Sequence, residues 1–449
     1  MKVLGIDIGT TSICAVVPDS DSGQVLEAVN TDNGAFIKTD SVFEKIQNPQ
    51  IILDKVSALA DSLSKKYAPI SAIGFSGQMH GILYLDADGK AVSPLYTWQD
   101  ARGDLPYKNA KTYTETLSKI TGYKLAAGYG AVTHYYNTIN GLVPKNAAVF
   151  CTIHDYAAMA LAKRKTPLIH ASDGASFGLF DLEKGIFDEA AITSAGMDFS
   201  LFPQVTSECT TIGKTSDGIP VSAAIGDNQA SFAGSVAETQ SSILVNIGTG
   251  SQISVFSPEP SKTPALETRP FSKDGYLLVG ASLCGGRAFA LLEEFFRETV
   301  KSAGFECKSM YPAMDKLSQN FEELENALTV ETLFCGTREN PDERASISGL
   351  GIDNFTPRHL VSGVLWGTVN ELYEKYSLEK QNKNIRTVIA SGNGVRKSPV
   401  MRKMLSMKFG MEVKIPQHKE EAAYGAALFA MAAAGLFPDL ASAGSIIRY

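Results

Sequence analysis

One short sequence pattern occurs twice in this chain of 449 residues. Residues 3–12 have the sequence VLGIDIGTTS and residues 244–251 have LVNIGTGS, so each copy is an apolar strand followed by an acidic or amide residue and a Gly-Thr turn. Glycine lets the backbone approach an anion closely, and hydroxyl and N–H groups can donate hydrogen bonds to it. The repeat therefore predicts two similar phosphate-binding hairpins.

The two copies are separated by more than half of the chain. That separation indicates two related domains, which we expect to hold one polyphosphate from two sides, as a nucleotide-dependent phosphotransferase would. The length also favours two domains over one. We place them at residues 1–234 and 235–449, and the alternation of strands and helices predicts an α/β fold.

Composition argues against several classes of function. A net charge of −7 argues against nucleic acid or an anionic membrane as a partner. The six cysteines form no CxxC pair, which is typical of thiols in a reducing compartment. The chain enters a strand without a leader pattern, and its least polar long run, residues 422–437, is too short to span a bilayer. We expect a cytoplasmic protein.

Hydrophobic periodicity predicts the main elements. In the first half it predicts a strand meander, a helix, a further strand and a hairpin, at residues 3–8, 13–18, 25–30, 51–67, 70–76 and 82–96. In the second half it predicts strands at 242–246, 252–256 and 385–391, helices at 286–303, 359–377 and 420–435, and a long loop at 336–353.

Nucleotide binding cannot rest on a P-loop. Residues 213–215 are Gly-Lys-Thr, but Glu208 takes the position of the first glycine that the P-loop pattern requires. The residues 391–394, Ser-Gly-Asn-Gly, close a buried strand and leave room for a flat purine ring, although an ordinary strand-to-helix turn has the same composition.

Two aspartates follow predicted strands and have two interpretations each. Asp7 can hold Mg²⁺ or cap its own turn. Asp227, in the phrase GDNQA, can accept a hydroxyl proton during phosphoryl transfer or act as the N-cap of the next helix. Polar residues also cluster in the loops 76–81 and 97–102, SGQMHG and TWQDAR, which suits a polyol pocket; packing alone is the alternative.

Several of these phrases occur in one order: DIGTTS, SGQMHG, TWQDAR, GDNQA, NIGTGS, the glycine cluster with KSP, and EAAYGAALFA. In these phrases the chain resembles the FGGY carbohydrate kinases of the actin/Hsp70/hexokinase superfamily. The resemblance implies two RNase H-like domains around a central cleft, with ATP in the cleft and a sugar hydroxyl as the acceptor.

The resemblance also implies roles for individual residues. Asp227 would be the catalytic base, and Asp7 would organise Mg²⁺. The residues implied for ATP are Thr10, Thr11, Ser12, Gly248, Thr249, Gly286, Gly336, Gly392 and Asn393. The residues implied for the sugar are Gln78, Met79, His80, Trp98, Asp100, His154, Asp155 and Asn228. The segment 172–178, SDGASFG, receives no role.

Within the family, phrases such as SGQMHGILY, LYTWQDARG and SLCGGRAFALL are most similar to the sedoheptulokinases. They imply phosphorylation of sedoheptulose to sedoheptulose 7-phosphate, with ATP and Mg²⁺. The alternatives are a kinase of xylulose or a related ketose or polyol, and an actin/Hsp70-like ATPase that has no sugar substrate. The expected partners are the sugar and ATP, and a homodimer is compatible with the sequence.

Overall fold

A computed structural model describes residues 1–263, 266–337, 340, 342–378 and 384–449. The strands are β1 (Lys2–Ile8), β2 (Ser12–Pro18), β3 (Val25–Asp32), β4 (Ile46–Gln47), β5 (Ile70–Gly77), β6 (Leu83–Leu85), β7 (Leu95–Tyr96), β8 (Val149–Cys151), β9 (Leu168–His170), β10 (Phe180–Asp181), β11 (Ile186–Phe187), β12 (Gln204–Thr206), β13 (Thr211–Lys214), β14 (Pro220–Ser222), β15 (Ile225–Gly226), β16 (Ser242–Ile247), β17 (Ser251–Ser257), β18 (Glu267–Ser272), β19 (Gly275–Ser282), β20 (Thr329–Glu331), β21 (Ser346–Ser348), β22 (Thr387–Ser391) and β23 (Glu412–Lys414). The α-helices are α1 (Pro49–Lys66), α2 (Tyr113–Thr121), α3 (Gly130–Ile139), α4 (Ile153–Leu161), α5 (Ala171–Ser176), α6 (Glu189–Ser194), α7 (Asp227–Ser235), α8 (Gly286–Ser302), α9 (Tyr311–Ser318), α10 (Pro357–Ser377), α11 (Asn393–Arg396), α12 (Pro399–Phe409), α13 (Glu421–Ala433) and α14 (Leu440–Gly444).

The chain forms two compact units. Unit 1 contains Met1–Ala237, Arg269–Tyr276 and His418–Arg448, and unit 2 contains Glu238–Thr268, Leu277–Gln417 and Tyr449. The division that we expected from the sequence was a single cut at residue 234. The units are not sequential in this way, because two later segments pack with the first part of the chain.

The main sheet of unit 1 has the strand order β13-β14-β5-β1-β2-β3, with β15 paired to β5. Strands β1, β2 and β3 form the predicted antiparallel meander, and β5 runs parallel to β1. Both faces of β1 and β5 are buried, whereas half-buried and exposed positions alternate along β3 at the sheet edge. This pattern is what apolar runs in central strands and alternating residues at an edge predict.

Helix α13 explains why the C-terminal segment belongs to unit 1. A Cβ atom added to Gly5 of β1 would lie 1.9 Å from the carbonyl oxygen of Ala423, and one added to Gly74 of β5 would lie 2.0 Å from that of Ala426. Such close approach requires glycine in the strands and small side chains on the helix. The Ala- and Gly-rich run at 422–437 is therefore a packed helix, as predicted.

Unit 2 repeats the central part of this plan. Its strands β19, β17, β16, β22 and β23 are neighbours in that order, in which β16 and β17 are antiparallel and β22 runs parallel to β16. Helix α10 buries Val361, Leu365 and Val369 in the core cluster that contains β16 and β22. The predicted pair of α/β domains, each with a hairpin and a parallel neighbour, is confirmed.

Two local expectations were wrong. The predicted loop at 336–353 includes β21, which pairs with β20; residues 338, 339 and 341 of that segment lie outside the described part of the chain. The strand predicted before Asp227 is the apolar run at 220–225, which we expected to be continuous. It is two short strands, because Val221 and Ile225 pair with Ile73 and Ser76 of β5. The two paired residues are four positions apart in residues 220–225 but only three positions apart in β5. The extra residue interrupts the strand.

No helix within the described residues is both long enough and apolar enough to cross a membrane.

Candidate active site

Three parallel strand ends of unit 1 lie side by side. Asp7 of β1 is opposite Ser76 of β5, and Gly77 of β5 is opposite Gly226 of β15. The Ser76 hydroxyl donates a hydrogen bond of 2.7 Å to the Asp7 carboxylate. This register brings Asp7 and the residue after β15, Asp227, to the same edge of the sheet, where α/β sheets bind ligands.

Asp227 is the first residue of α7, whose N-cap is Gly226, so the interpretation of Asp227 as the N-cap was wrong. Its side chain is partly buried. The pKa of this carboxyl is raised to about 7: burial and the Asp7 carboxylate raise it, while His154 and Arg269 lower it. A carboxyl that titrates near neutral pH and remains partly accessible is suited to general base catalysis.

The charges around Asp7 fit a divalent cation. Burial raises the pKa of Asp7, the Ser76 hydrogen bond and His154 lower it, and Glu420 raises it again. Asp7 therefore lies within electrostatic range of two further carboxylates, Asp227 and Glu420. Mg²⁺ prefers oxygen ligands and would relieve this excess of negative charge. The residues present thus match the predicted Mg²⁺ site at Asp7.

Ser172 fixes the backbone that carries Asp227, although no role was predicted for it. The Gly226 N–H donates a hydrogen bond of 3.0 Å to the Ser172 hydroxyl, and that hydroxyl is also 2.9 Å from the His170 ring nitrogen Nδ1. Ser172 and His170 are both buried. The hydrogen bond joins Gly226 to a residue 54 positions earlier in the chain, and no local sequence pattern predicts such a contact.

A closed ring of hydrogen bonds joins the first Gly-Thr turn to the predicted sugar loops. Trp98 Nε1 donates to Thr10 Oγ1 at 3.0 Å, and Thr10 Oγ1 donates to Gln78 Oε1 at 3.2 Å. Gln78 Nε2 then donates to Gln47 at 2.9 Å, and Gln47 donates back to the Thr10 carbonyl at 2.7 Å. The indole of Trp98 remains 46% exposed, so one flat face is available to a ligand.

The residues after β5 lie close to Asp227. The Met79 sulfur is 2.7 Å from the position that a Cβ on Gly226 would take. His80 has a positive φ of 71°, its ring nitrogen Nδ1 is 2.7 Å from the Ser176 carbonyl oxygen, and its ring stacks on Tyr129 at 4.8 Å. Tyr129 was not among the predicted residues, because a tyrosine in a loop has no distinctive local pattern.

Asn228 directly follows Asp227 and is partly buried. Its Oδ1 atom is buried and has no hydrogen-bond partner among the described residues. A ligand hydroxyl could donate a hydrogen bond to it.

Three predicted sugar residues are buried and paired within the protein. Asp100 forms an ion pair of 2.6 Å with Arg102 and accepts a hydrogen bond of 3.0 Å from the Lys45 N–H. His154 lies 2.9 Å from Asp173, and Asp155 accepts a hydrogen bond from Thr152. Their side chains support the site from behind, and none of the three presents a surface to solvent.

The second Gly-Thr turn, in unit 2, is held by the start of α8. The N–H of Gly286 donates to the carbonyl of Gly248 at 2.9 Å, and that of Arg287 donates to Thr249 at 3.0 Å. Asn246, the counterpart of Asp7, donates from Nδ2 to Ser391 Oγ at 2.8 Å. Two of the predicted nucleotide segments are therefore in direct contact.

Two further segments join this group. Gly392 has φ +84°, and a Cβ there would lie 2.5 Å from the carbonyl oxygen of Ile247, so the turn that leads to the exposed Asn393 requires glycine. Gly336 follows Cys335, whose side chain packs against the cluster that contains Cys284, two residues before Gly286. Unit 2 thus gathers its predicted nucleotide residues at one end of its sheet. That both Gly-Thr turns contact one triphosphate stays a prediction.

Comparison with known proteins gives the family. Residues 2–234 match the model of the FGGY family of carbohydrate kinases, N-terminal domain, and residues 243–434 match the C-terminal domain of the same family. Sedoheptulokinase from Mus musculus is 26% identical over 468 residues, covering 95% of this chain and 96% of the relative. Xylulose kinase from Bacillus subtilis is 25% identical over 472 residues, covering 98% and 89%. The crystal structure of gluconate kinase from Lactobacillus acidophilus has a TM-score of 0.84 at 20% identity, covering 100% and 92%.

Proposed function

Since the chain belongs to the FGGY family of carbohydrate kinases and is an ATP-dependent carbohydrate kinase, we propose that its substrate is a ketose, sedoheptulose, and its product sedoheptulose 7-phosphate. The similarity to a sedoheptulokinase over almost the full length of both chains supports this substrate. The observation that carries the chemistry is the partly accessible Asp227 at the end of β15, with a pKa raised to about 7 by burial.

In the proposed reaction, Asp227 orients the terminal hydroxyl of the sugar and accepts its proton as the oxygen attacks the γ-phosphorus of ATP. The bond from that phosphorus to the bridging oxygen breaks, and ADP leaves. Mg²⁺, held by Asp7, would supply positive charge to the phosphate oxygens. Positioning and charge stabilisation of this kind account for most of the catalysis in phosphoryl transfer.

The remaining residues divide into those proposed to contact a substrate and those proposed to support them. We propose that the sugar contacts Gln78, Met79, His80, Trp98 and Asn228, while Asp100, His154 and Asp155 hold these groups from the protein interior. We propose that ATP contacts Thr10, Thr11 and Ser12 of unit 1 and Gly248, Thr249, Gly286, Gly336, Gly392 and Asn393 of unit 2.

A panel of sugars tests the substrate. Sedoheptulose, xylulose, gluconate and glycerol would each be offered with MgATP, and ADP release would be followed by a coupled assay. We expect the highest kcat/KM with sedoheptulose. A higher kcat/KM with xylulose or gluconate would identify that compound as the substrate and leave the assignment as a kinase unchanged. ADP release at the same rate without any sugar would favour an ATPase.

Substitution of the base tests the mechanism. Asp227→Asn should lower kcat by about 100-fold or more, the usual contribution of a general base. It should leave ATP binding, measured by calorimetry, within about twofold, because a neutral isostere keeps the local packing. Unchanged turnover would remove Asp227 from the mechanism.

The proposal also includes the cellular location and the oligomeric state. The six cysteines are all unpaired, which supports a cytoplasmic location. Light scattering of the purified protein would test for a homodimer.

A further inference from the structure

The short helix α5 is packed inside unit 1, in contact with β15. No role was predicted for its segment, 172–178. Five of the six residues of the helix are buried, and a Cβ atom on Gly174 would lie 2.8 Å from the Phe180 ring atom Cε2. The carboxylate of Asp173, in the middle of the helix, lies 2.9 Å from the buried ring of His154. Packing and this polar contact therefore fix the helix in place.

Ser172 connects the start of α5 to the backbone at the proposed base. The Ser172 N–H donates a hydrogen bond of 3.2 Å to His170 Nδ1, so that ring nitrogen is an acceptor. The Ser172 hydroxyl is 2.9 Å from the same nitrogen and therefore donates its own proton to it, while it accepts the Gly226 N–H at 3.0 Å. Gly226 directly precedes Asp227. The hydroxyl thus holds the backbone immediately before the base.

Ser176 makes the same kind of contact with the loop after β5. Its hydroxyl donates to the Asp173 carbonyl at 2.8 Å and accepts the His80 N–H at 3.1 Å. Its carbonyl oxygen is 2.7 Å from His80 Nδ1, and because a carbonyl only accepts, His80 carries a proton on Nδ1. His80 has a φ of +71°, which is uncommon for a residue with a side chain and persists only where the surroundings fix it. Ser176 supplies two such bonds.

The two serines are four residues apart in one helix, so they lie on the same face of it, one turn from each other. Each hydroxyl donates to an acceptor within residues 170–173 and accepts a backbone N–H from a segment of the proposed site. One buried helix therefore holds the backbone before Asp227 and the backbone of His80 in a fixed relation to each other.

We propose that α5 is the positioning element of the site, with Ser172 as the positioning residue of the base and Ser176 as the positioning residue of the sugar loop. This inference rests on the proposed function and adds to it the means by which the base is aligned with the acceptor hydroxyl. Neither serine contacts the sugar or ATP in this proposal. Because the two serines place different groups, loss of one should have a different kinetic effect from loss of the other.

The central test compares two single substitutions, using the sugar that the panel identifies. Ser172→Ala leaves the Gly226 N–H without its acceptor, and kcat should fall about tenfold or more, since a displacement of about 1 Å can cost about 100-fold in rate. The KM of the sugar should stay within about twofold. Ser176→Ala should raise that KM about fivefold, the value of one neutral hydrogen bond, and leave kcat within about twofold. An unchanged kcat in Ser172→Ala, or the same changes in both variants, would overturn the proposal.

Ser222→Ala provides the matched control. Ser222 is also buried in unit 1, on β14, but its hydroxyl has no hydrogen-bond partner among the residues that the structure describes. Its loss should leave kcat and the KM of the sugar within about twofold, because no backbone group depends on it. A fall in kcat equal to that of Ser172→Ala would mean that any buried serine has this effect, and would overturn the proposal.

Hydrogen exchange of backbone amides, followed by NMR, keeps the proposal testable if a variant does not fold or no sugar reacts. In the wild type the Gly226 and His80 amides should both exchange slowly. Ser172→Ala should accelerate exchange at Gly226 alone, and Ser176→Ala at His80 alone. Fast exchange of either amide in the wild type would overturn the proposal. Failure of the proposed function would look different: no sugar of the panel would be phosphorylated, or Asp227→Asn would keep its turnover, while both amides stayed protected.

Discussion

In the proposed mechanism Asp227 must lose a proton to act, yet its surroundings favour the protonated form. Burial and the nearby Asp7 carboxylate raise its pKa, and His154 and Arg269 only partly offset them. The carboxyl is therefore poised near the pH of the cell interior, where a base combines the right protonation state with proton affinity. This balance has consequences for both activity and stability.

The first is a pH profile. Since the proposed base must be ionised, kcat/KM should fall about tenfold for each pH unit below the pKa of Asp227, which burial and the Asp7 carboxylate raise from its ordinary value. Mg²⁺ held by Asp7 would offset part of that rise, so we expect the midpoint between about pH 5 and 7. The profile would be measured with saturating MgATP between pH 5 and 9. Full activity at pH 5 would show that no group with this pKa controls the reaction.

The second is a change in stability. The pKa of Asp227 is about 7 in the folded protein and 3.8 in the unfolded reference, so the stability that the neutral carboxyl contributes is complete below pH 3.8 and is lost as the pH rises through 7. Asp227→Asn never ionises and should be more stable than wild type by about 1–3 kcal/mol at pH 8. Thermal unfolding at pH 5.5 and pH 8 would check this: the difference should grow with pH, and an unchanged difference would contradict it.

The third prediction concerns Trp98, which is partly exposed and donates a hydrogen bond to the ring. Trp98→Phe removes the bond of 3.0 Å to Thr10, and we expect the KM of the sugar to rise about 3–10-fold, the value of one neutral hydrogen bond. Trp366→Phe, in unit 2, is the control. Trp366 packs against the α10 core, so its loss should leave the KM of the sugar unchanged. Equal effects of the two substitutions would contradict the role of Trp98.

At the scale of elements, close packing of helix on sheet defines unit 1. Helix α13 lies against β1 and β5 with no space for a side chain at Gly5 or Gly74. It also packs against α7, where a Cβ on Gly425 would lie 1.8 Å from the carbonyl of Ala230. The helix that begins with Asp227 is thus supported from behind by a helix from the other end of the chain.

Gly74→Ala should accordingly destabilise unit 1 by about 3 kcal/mol or more, since the new methyl group meets backbone that cannot move away. Gly304→Ala is the control. Gly304, unlike Gly74, has a positive φ, of 88°, but no atom lies within 4 Å of the added Cβ, so its cost is limited to backbone strain of about 1 kcal/mol. Urea denaturation would compare the two variants, and a similar loss in both would contradict the packing argument.

The sequence predicts helices, strands and turns better than it predicts which side chains contact one another. The repeated Gly-Thr turns and the position of Asp227 depend on local runs of strand and turn residues, and these predictions agree with the fold. The pairing of Asp100 with Arg102, the burial of His154 and the role of Ser172 depend on contacts that the three-dimensional fold creates. A phrase such as TIHDY is the same whether its histidine faces a ligand or the interior.

At the scale of the whole molecule, the first unit is discontinuous in sequence. Residues 418–448 complete it, and the Tyr424 hydroxyl donates a hydrogen bond of 2.9 Å to the carbonyl of Gly23, across 401 residues of chain. Unit 2 has its own core around β16, β22 and α10. The two units therefore depend to different degrees on the C-terminus.

Removal of residues 418–449 should abolish the folding of unit 1, because β1 and β5 would lose their cover, while unit 2 should keep cooperative unfolding. Limited proteolysis with mass spectrometry would reveal this, as rapid cleavage within residues 1–237 and persistence of a fragment from 277–417. Removal of Tyr449 alone is the control and should leave the pattern unchanged. Equal resistance of both regions would contradict the dependence on α13.

The location of α13 also affects biosynthesis. Strand β1 is translated about 400 residues before α13, so the face of the sheet that α13 covers stays exposed while the residues between them are synthesised. During that interval the nascent chain exposes apolar strand surface. Chaperones bind such surface, and aggregation competes with folding. Codon choice and growth temperature should therefore govern the yield of this protein more strongly than they would for a chain whose first domain closes on itself.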